Sequence, residues 1–261
     1  MFRLSRFAGR AENTGRPLPA TFGAFGGPAR VDFRYGATSM IAGAPGTMKS
    51  IFALNLAILW ARAGLTGIYF SADSDDMTVA RRVGAMVTGK PDSDVERDYL
   101  AGATAPYADA MRALDAIKFV YQDLDISGIE EQVTAFEAVY GAYPNVIWID
   151  NAINYVENAS DWTQLMDLTK HLNILARETQ SHVQILHHTS ESASATRPPP
   201  RRAIQGKISQ IPRLILTMGA EDMALYVSCV KNTNGPQDPE AQSWIPFNVN
   251  SALQVSEAGW R

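Results

Sequence analysis

Apolar positions follow one another along this chain in two distinct spacings. Short runs of consecutive apolar residues predict buried strands, and apolar residues that recur every three or four positions predict helices. Because the two kinds of segment alternate from about residue 33 onward, we expect an α/β fold with a mainly parallel central sheet, helices on both faces and antiparallel strands at the C-terminal end. The predicted strands are residues 37–42, 67–71, 117–121, 145–150, 183–187, 214–218, 224–230 and 244–247. The predicted helices are residues 50–63, 77–86, 129–140 and 162–179.

The N-terminal segment differs in composition from the rest of the chain. It is rich in Gly, Pro and Ala, and residues 1–30 contain five arginines (Arg3, Arg6, Arg10, Arg16 and Arg30) but a single acidic residue, Glu12. Such a composition cannot form a core of its own. We expect a basic arm that is either an unstructured tail or a docking element. The Phe22 and Phe25 pair is placed to contact a surface, for example that of a neighbouring subunit.

The length of the chain limits the number of domains. At 261 residues it can form one large domain, with too little left for a second full core. We therefore predict a basic arm at residues 1–32, one domain at residues 33–250 and a C-terminal tail at residues 251–261. Residues 89–109 are polar and acidic, and we expect irregular structure there.

The overall composition narrows the class of protein. The hydrophobic fraction of 46% and charged fraction of 19% are those of an ordinary globular protein. Because the net charge is -4, contact with nucleic acid would require a local basic patch. One cysteine, Cys229, rules out an intramolecular disulfide and is expected to be buried and inert. No apolar stretch is of transmembrane length and no signal peptide is evident, so we expect a cytoplasmic protein that does not contact membranes.

A glycine-rich segment between the first predicted strand and the first predicted helix ends in Lys49-Ser50. It matches the G-x-x-x-x-G-K-[ST] pattern of a phosphate-binding loop, except that Met48 occupies the second glycine position. In such a loop, backbone N–H groups and the helix N-terminus bind phosphates, the lysine contacts the β- and γ-phosphates, and the hydroxyl ligates Mg²⁺. We therefore expect ATP and Mg²⁺ to bind here. The predicted binding residues are Gly43, Ala44, Pro45, Gly46, Thr47, Met48, Lys49 and Ser50.

The predicted strand at residues 145–150 is strongly apolar and ends in Asp150. Taken alone, such a strand is common. Downstream of a phosphate-binding loop, with strand and helix units between, it is typical of a Walker B strand, whose carboxylate supports the Mg²⁺ ion. We predict that Ser50 and Asp150 hold the metal.

These motifs resemble those of the RecA/DnaB superfamily of P-loop ATPases, in particular its RepA-like and DnaB-like helicase motor domains. The resemblance covers residues 33–250, although only the motifs are specific, and it implies a RecA-like fold, ATP hydrolysis and, by analogy, a phage or plasmid source. In that family the residue that activates the attacking water ends the strand after the P-loop helix. The run Ile68-Tyr69-Phe70-Ser71-Ala72-Asp73 is similar to the family's F-S-L-E and places Asp73 where Glu is usual. Asp is one methylene shorter, so we expect slow hydrolysis; a helix-capping role for Asp73 stays open.

Two further segments resemble family elements near the γ-phosphate. The strand that ends in His187-His188-Thr189 is similar to the sensor strand of the RepA-like branch. Adjacent residues point to opposite faces of a strand, so only one of the two histidines is expected to face the nucleotide.

The segment Lys231-Asn232-Thr233-Asn234-Gly235-Pro236 resembles the K-x-R-x-G-P hairpin that reaches into the neighbouring subunit's ATP site. Lys231 matches that pattern, whereas Thr233 stands where the arginine finger is expected. The resemblance implies a catalytic role for Lys231 in trans. Either Lys231 suffices, another arginine such as Arg213 substitutes, or the motor is weak.

Residues 193–220 contain five basic side chains and no acidic one. In the resembled family, the loop after the sensor strand lines the DNA-binding centre. We predict sequence-independent phosphate contacts there, with a solvated loop that binds nothing as the alternative. The predicted DNA-binding residues are Arg197, Arg201, Arg202 and Lys207.

These expectations combine into one functional hypothesis. The chain is predicted to be an oligomeric DNA-binding ATPase, active as a ring or helical filament on single-stranded or forked DNA, in the cytoplasm of a bacterial host if phage-encoded. One alternative is a RecA-like recombination or branched-DNA-processing ATPase. Another is a nucleotide-regulated assembly protein without motor activity on DNA.

Overall fold

A computed structural model describes residues 15–122, 124–158, 161–190 and 193–258, with only the backbone at positions 113 and 207. Within these residues one sheet contains nine strands, in the order β3-β2-β4-β5-β1-β6-β7-β8-β9. The first six strands of that order are parallel, and β7, β8 and β9 are added antiparallel. The strands are β1 (Thr38–Gly43), β2 (Gly67–Ser71), β3 (Ile117–Val120), β4 (Val146–Asp150), β5 (His182–His188), β6 (Leu214–Glu221), β7 (Ala224–Asn232), β8 (Ile245–Val249) and β9 (Val255–Glu257).

Six α-helices accompany this sheet in the described part of the chain. They are α1 (Lys49–Arg62), α2 (Asp76–Thr88), α3 (Asp92–Leu100), α4 (Ala105–Met111), α5 (Ile126–Tyr140) and α6 (Trp162–Thr179). Every residue of β1, β2 and β4 is buried, because helices cover both faces of the central strands. Helices α1 and α2 contribute to one apolar core, and α5 and α6 contribute to the other. The predicted α/β class, with its antiparallel C-terminal strands, is confirmed.

The segment at residues 89–109, predicted to be irregular, contains most of α3 and α4. Helix α3 buries only Val95, and α4 buries only Tyr107, so neither shows an apolar stripe that sequence periodicity could detect. Val95 and Tyr107 form a small apolar cluster with Ala85 of α2. Charge pairs add to this contact, with Arg81 of α2 contacting both Asp92 and Glu96 of α3.

The two ends of the chain pack onto the domain within one molecule. Phe22 and Phe25 are buried against Phe52 of α1 and Phe247 of β8, with ring centroids 4.9–6.2 Å apart. The described part of the arm therefore docks on its own chain. The segment predicted as a tail extends the sheet as β9. Residues 1–14 of the predicted arm lie outside the described residues.

Candidate functional site

The phosphate-binding loop connects the carboxyl end of β1 to the start of α1. Its first residue must be glycine, because a Cβ atom on Gly43 would lie 2.6 Å from the Thr47 Oγ1 and 2.8 Å from the Met218 carbonyl oxygen. Thr47 closes the loop by donating from its hydroxyl to the Ala44 carbonyl oxygen at 2.8 Å. The loop is thus packed tightly before helix α1 begins at Lys49.

Met48 adopts a left-handed backbone conformation, with φ 56° and ψ 29°. This is the position at which the loop pattern has its second glycine. A residue with a Cβ atom is strained there by about 1–3 kcal/mol. The Met48 side chain packs against the core around α1, which offsets part of that strain.

Met48→Gly is expected to be more stable than Met48→Ala by about 1 kcal/mol, because glycine adopts positive φ at no steric cost. Met48→Ala is the matched control, since it removes the same packing but keeps the strained backbone. Denaturant unfolding of the three proteins measures the difference. A Met48→Gly protein less stable than Met48→Ala would contradict this account.

The Lys49 amine is buried inside the loop. It donates to the carbonyl oxygens of Gly43 and Ala44, each at 3.0 Å. Burial lowers the pKa of Lys49 to about 8, and the nearby carboxylates of Asp150 and Asp73 partly oppose this shift. A phosphate group would supply the strong anionic partner that these neutral carbonyl groups do not.

The Asp150 carboxylate lies at the carboxyl end of β4, beside Ser50. Its Oδ2 accepts a hydrogen bond of 2.7 Å from the Tyr69 hydroxyl, and the Ser50 hydroxyl also donates to this carboxylate. Burial raises the pKa of Asp150, although both hydrogen bonds favour the ionised form. A buried carboxylate beside a hydroxyl is an oxygen donor set that suits Mg²⁺, and the bound cation would favour the charged state of Asp150. Ser50 and Asp150 therefore fit the predicted metal ion.

A cavity of about 390 Å³ opens over this loop. Asp73, which is exposed, lies at its wall next to Ser74. The neighbouring Asp75 instead caps helix α2 by accepting from the Thr78 N–H at 2.6 Å, so the capping role belongs to Asp75. The lining residues are Pro45, Gly46, Met48, Lys49, Ser50, Ile51, Asp73, Ser74, Arg82, Asp150, Asn151 and His188.

The two adjacent histidines occupy different sides of the sheet. His188 lines the cavity, with its Nδ1 3.5 Å from the Lys49 amine and its Nε2 2.7 Å from the Asn151 side-chain nitrogen. His187 is fully buried on the opposite face, where its Nε2 lies 3.3 Å from the Gln205 carbonyl oxygen. The expectation that His187 is an alternative sensor is therefore wrong, because its side chain does not reach the cavity.

Sequence reasoning missed Arg82 and Asn151 at this site. Arg82 lies on α2 and its Nη1 is 3.4 Å from the Ser74 Oγ, so its cationic group reaches the wall of the cavity. Asn151 directly follows Asp150, and polar residues just beyond the carboxyl end of a parallel strand are the signal that could have identified it. No local pattern marks Arg82, because only the tertiary packing of α2 brings its side chain to the cavity.

The hairpin after β7 is anchored within its own chain. The Lys231 amine donates to the carbonyl oxygens of Ser209 at 3.1 Å and Gln210 at 2.6 Å, and burial lowers its pKa to about 8. Thr233 donates from both its N–H and its hydroxyl to the Arg213 carbonyl oxygen, each at 2.9 Å. Arg213 is therefore the cross-strand neighbour of Thr233. It is exposed and lines a separate cavity of about 810 Å³ at the opposite ends of the strands.

The basic segment after β5 is packed in place. Pro198 and Pro199 are buried, as are Ile204 and Ile208 farther along, and the Ala220 N–H donates to the Ala195 carbonyl oxygen at 2.8 Å. The described part of this segment is therefore packed against the domain and is not freely solvated. This packing presents its arginines on a fixed surface.

The side chains of the predicted DNA-binding residues differ in their exposure and in their bonds to other groups of the protein. Arg197 is exposed, whereas Arg201 donates to the Ser209 carbonyl oxygen at 3.2 Å. Arg202 forms an ion pair with Glu240, a carboxylate that the fold brings in from beyond β7. The side chain of Lys207 lies outside the described residues.

None of the helices in the described part of the chain is both long and apolar enough to cross a membrane. The described residues also contain no cluster of three or more His, Cys, Asp or Glu side chains placed to hold a metal ion. The Ser50–Asp150 pair would share a bound ion with phosphate oxygens and water, as Mg²⁺ sites on nucleotides do.

Comparison with solved structures relates this fold to three proteins, each 14% identical in sequence. A DnaB-like replicative helicase superposes with a TM-score of 0.78 over 98% of this chain, which spans 66% of that helicase. An ATPase domain of a second protein gives a TM-score of 0.75, with coverage of 98% of this chain and 96% of that domain. A KaiC-like protein from Pyrococcus horikoshii OT3 gives 0.64, with 94% and 99% coverage. At this identity the similarity shows a shared fold.

Sequence comparison finds relatives in two phages. The Gene 65 protein of Mycobacterium phage L5 is 31% identical over 262 residues, which cover 95% of each chain. The Gene 65 protein of Mycobacterium phage D29 is 29% identical over 233 residues, which cover 84% of this chain and 98% of that protein. A family model described as an AAA domain matches residues 32–194. The predicted resemblance is thereby confirmed: this chain belongs to the AAA_25 family of AAA domains, is related to the Gene 65 protein of Mycobacterium phage L5, and has the fold of the RecA/DnaB-type P-loop ATPases.

Proposed function

We propose that this chain hydrolyses ATP and uses the energy on DNA as an oligomeric motor of the DnaB or RepA type. One observation carries the proposal. A single cavity at the carboxyl ends of the parallel strands holds the phosphate-binding loop, a buried lysine, a hydroxyl–carboxylate pair and a second, exposed carboxylate. These are the groups that phosphoryl transfer to water requires.

Binding would begin with the phosphates at the loop and the N-terminus of α1, where backbone N–H groups point outward. The Lys49 amine would exchange its two carbonyl acceptors for phosphate oxygens, which stabilise its charged form. Ser50 and Asp150 would hold Mg²⁺, which neutralises phosphate charge when bound. The Tyr69 hydroxyl orients the Asp150 carboxylate toward Ser50.

Asp73 is the proposed residue that orients and deprotonates the attacking water. Its carboxylate lies at the exposed wall of the cavity, whereas Asp150 lies buried at its base. The difference in exposure supports a division of roles, since a base that acts on water needs access to solvent. His188, held between Lys49 and Asn151, is the proposed sensor of the γ-phosphate.

Positive charge at the cavity comes from two side chains of the same chain, Lys49 and Arg82. The transferred phosphoryl group carries charge on three oxygens, and a third cation would stabilise it further. We propose that a neighbouring subunit supplies this cation from the edge where the end of β7 adjoins the start of β6, at the Thr233–Arg213 pair. Arg213 is the better candidate, because it is exposed beside Thr233, whereas Lys231 is bound to carbonyl groups of its own chain.

The packed basic segment is the proposed DNA contact. Arg197 and Arg202 lie near the same edge of the sheet as the nucleotide cavity. Arg197 packs against Gly219 near the carboxyl end of β6. Arg202 lies two residues before Ile204, which bridges to Thr189 just after β5. Glu240 competes with phosphate for Arg202, so binding would exchange one ion pair for another.

Changing Arg201 and Arg202 together to Ala is expected to weaken binding of single-stranded DNA and to reduce the log–log salt slope by about one to two, one per lost phosphate contact. ATP binding without DNA should not change. The measurement is anisotropy of a labelled oligothymidylate across a salt series. The control double variant changes Arg97 on α3 and Arg112 just after α4, two exposed arginines that also pair with carboxylates.

The same proteins test the proposed function itself through the rate of ATP hydrolysis with and without single-stranded DNA. Stimulation that the Arg201/Arg202 variant loses supports a DNA motor. A rate indifferent to DNA, together with an unchanged binding isotherm for the variant, would favour the nucleotide-regulated assembly protein. Strand displacement on a forked duplex then separates a helicase from an ATPase that processes DNA without unwinding it.

A further inference from the structure

Trp162 is the first residue of α6, directly after the loop that follows β4. The indole is 43% exposed, although tryptophan usually buries most of its surface. Its neighbour in the chain, Asp161, caps the helix by accepting from the Thr163 N–H at 2.9 Å, so the backbone at Trp162 is fixed. The helix thus holds a large aromatic side chain partly in solvent at a rigid position.

One edge of this ring lies against the turn Gln205–Gln210. A Cβ atom on Gly206 would lie 2.9 Å from the Trp162 Cε3 and 3.5 Å from its Cζ3, so the absence of a side chain at Gly206 makes room for the indole. Gly206 also has a φ of +77°, which only glycine adopts readily. The turn is therefore shaped around the ring, and the rest of the indole remains open.

The turn that supports the ring belongs to the proposed DNA contact. It begins three residues after Arg202 and accepts the cationic groups of Arg201 and Lys231 at the Ser209 carbonyl oxygen. Ile208 anchors it in the core, and Gln205 is held by His187 at the end of β5. The indole therefore adjoins the fixed turn that also holds the cationic groups of Arg201 and Lys231.

We propose that Trp162 is a stacking platform for an unpaired nucleobase of the strand that the basic segment binds. The inference rests on the proposed function, because it assumes that this segment contacts single-stranded DNA. Arginines that bind phosphates bring the attached bases to the same surface, and every base has a face that stacks on an aromatic ring. The indole of Trp162 is half-exposed and one edge of it is already held by the backbone of the turn. Stacking of a base on its open face would therefore cost little side-chain entropy. The contact would be independent of base sequence.

Three variants test this role. Trp162→Ala removes the ring, Trp162→Phe keeps an aromatic face, and Trp244→Ala removes the other exposed tryptophan of the described residues, which contacts Tyr226 at the antiparallel end of the sheet. Each protein is titrated with labelled oligothymidylate and with an abasic strand of the same length, at one salt concentration and across a salt series.

Trp162→Ala is expected to lower the affinity for oligothymidylate by about fivefold to a hundredfold, the effect of losing one stacked base. Trp162→Phe should keep most of the affinity, and Trp244→Ala should keep all of it. On the abasic strand, Trp162→Ala and the unmodified protein should bind alike. The salt slope should not change, in contrast to the Arg201/Arg202 variant. Quenching of tryptophan fluorescence by oligothymidylate should disappear in Trp162→Phe and persist in Trp244→Ala.

Two results would overturn the inference and leave the proposed function standing. One is an unmodified protein that binds abasic and base-containing strands equally. The other is a Trp162→Ala protein whose DNA affinity is unchanged while its subunit number falls, which would assign the ring to a contact between copies of the chain. A protein that binds neither strand would overturn the proposed DNA contact, and this inference with it.

Discussion

Lys49→Ala is expected to reduce ATP hydrolysis by about a hundredfold to a thousandfold or more, because it removes the one buried cation inside the phosphate-binding loop. Nucleotide binding should weaken as well, since the amine contacts phosphate in both the ground state and the transition state. Phosphate release at saturating ATP and titration with a nucleotide analogue measure the two effects separately.

Lys170→Ala is the matched control, because Lys170 is an exposed lysine paired with Asp167 on the surface of α6. It should hydrolyse ATP at the normal rate.

The pH dependence of nucleotide affinity provides a second readout. The pKa of Lys49 is lowered to about 8, so nucleotide affinity should fall as the pH rises through that value and the amine loses its proton. Near-normal turnover of Lys49→Ala would remove the basis for the proposed ATP site.

Mixing inactive subunits extends this experiment to the proposed assembly. Lys49→Ala subunits mixed with Arg213→Ala subunits should regain partial activity, because some mixed interfaces join an intact loop to an intact arginine. Thr233→Arg should restore activity to Arg213→Ala, since the two residues are cross-strand neighbours. The same mixing with Lys231→Ala shows whether that lysine acts across the interface or only holds the Ser209–Gln210 turn. A protein that remains monomeric in the presence of ATP and DNA would exclude the role of Arg213 in trans. A fully active Arg213→Ala protein would exclude it as well.

Asp73→Asn is expected to lower the rate of ATP hydrolysis by about a hundredfold to ten-thousandfold. Nucleotide affinity should change little, because the proposed base acts on the attacking water and not on the bound nucleotide. Asp150→Asn should differ by also weakening Mg²⁺-dependent binding, because Asp150 adjoins Ser50 in the buried part of the site. Single-turnover hydrolysis and nucleotide titration with and without Mg²⁺ distinguish the two variants.

Asp75→Asn supplies the control for position, since Asn still caps helix α2 and the residue lies two positions from Asp73. It should be fully active. Asp73→Glu tests whether the carboxylate is too short to reach the attacking water. The added methylene is expected to raise the rate of ATP hydrolysis. Equal and mild losses in Asp73→Asn and Asp150→Asn would contradict the division of roles between them.

The local sequence was enough to predict the phosphate-binding loop, the strand before it and the helix after it. Gly43, Lys49 and Ser50 lie at fixed spacing between an apolar strand and a helix, and such a spacing constrains the backbone directly. The carboxyl-end position of Asp150 followed for the same reason, because a buried strand of a parallel sheet is continuously apolar up to its last residue. Helix α6 was predicted with its observed bounds from its apolar stripe, and the structure adds Asp161 as its cap.

Tertiary packing alone decided which other side chains join the site. Arg82 reaches the cavity wall because α2 packs beside α1, and only the pleat of β5 assigns His188 and not His187 to the nucleotide side. Glu240 meets Arg202 across 38 positions of sequence, which makes the basic segment less free than its composition suggests. These contacts join residues with no fixed spacing in the chain. Their positions depend on how whole elements pack, and periodicity carries no information about that.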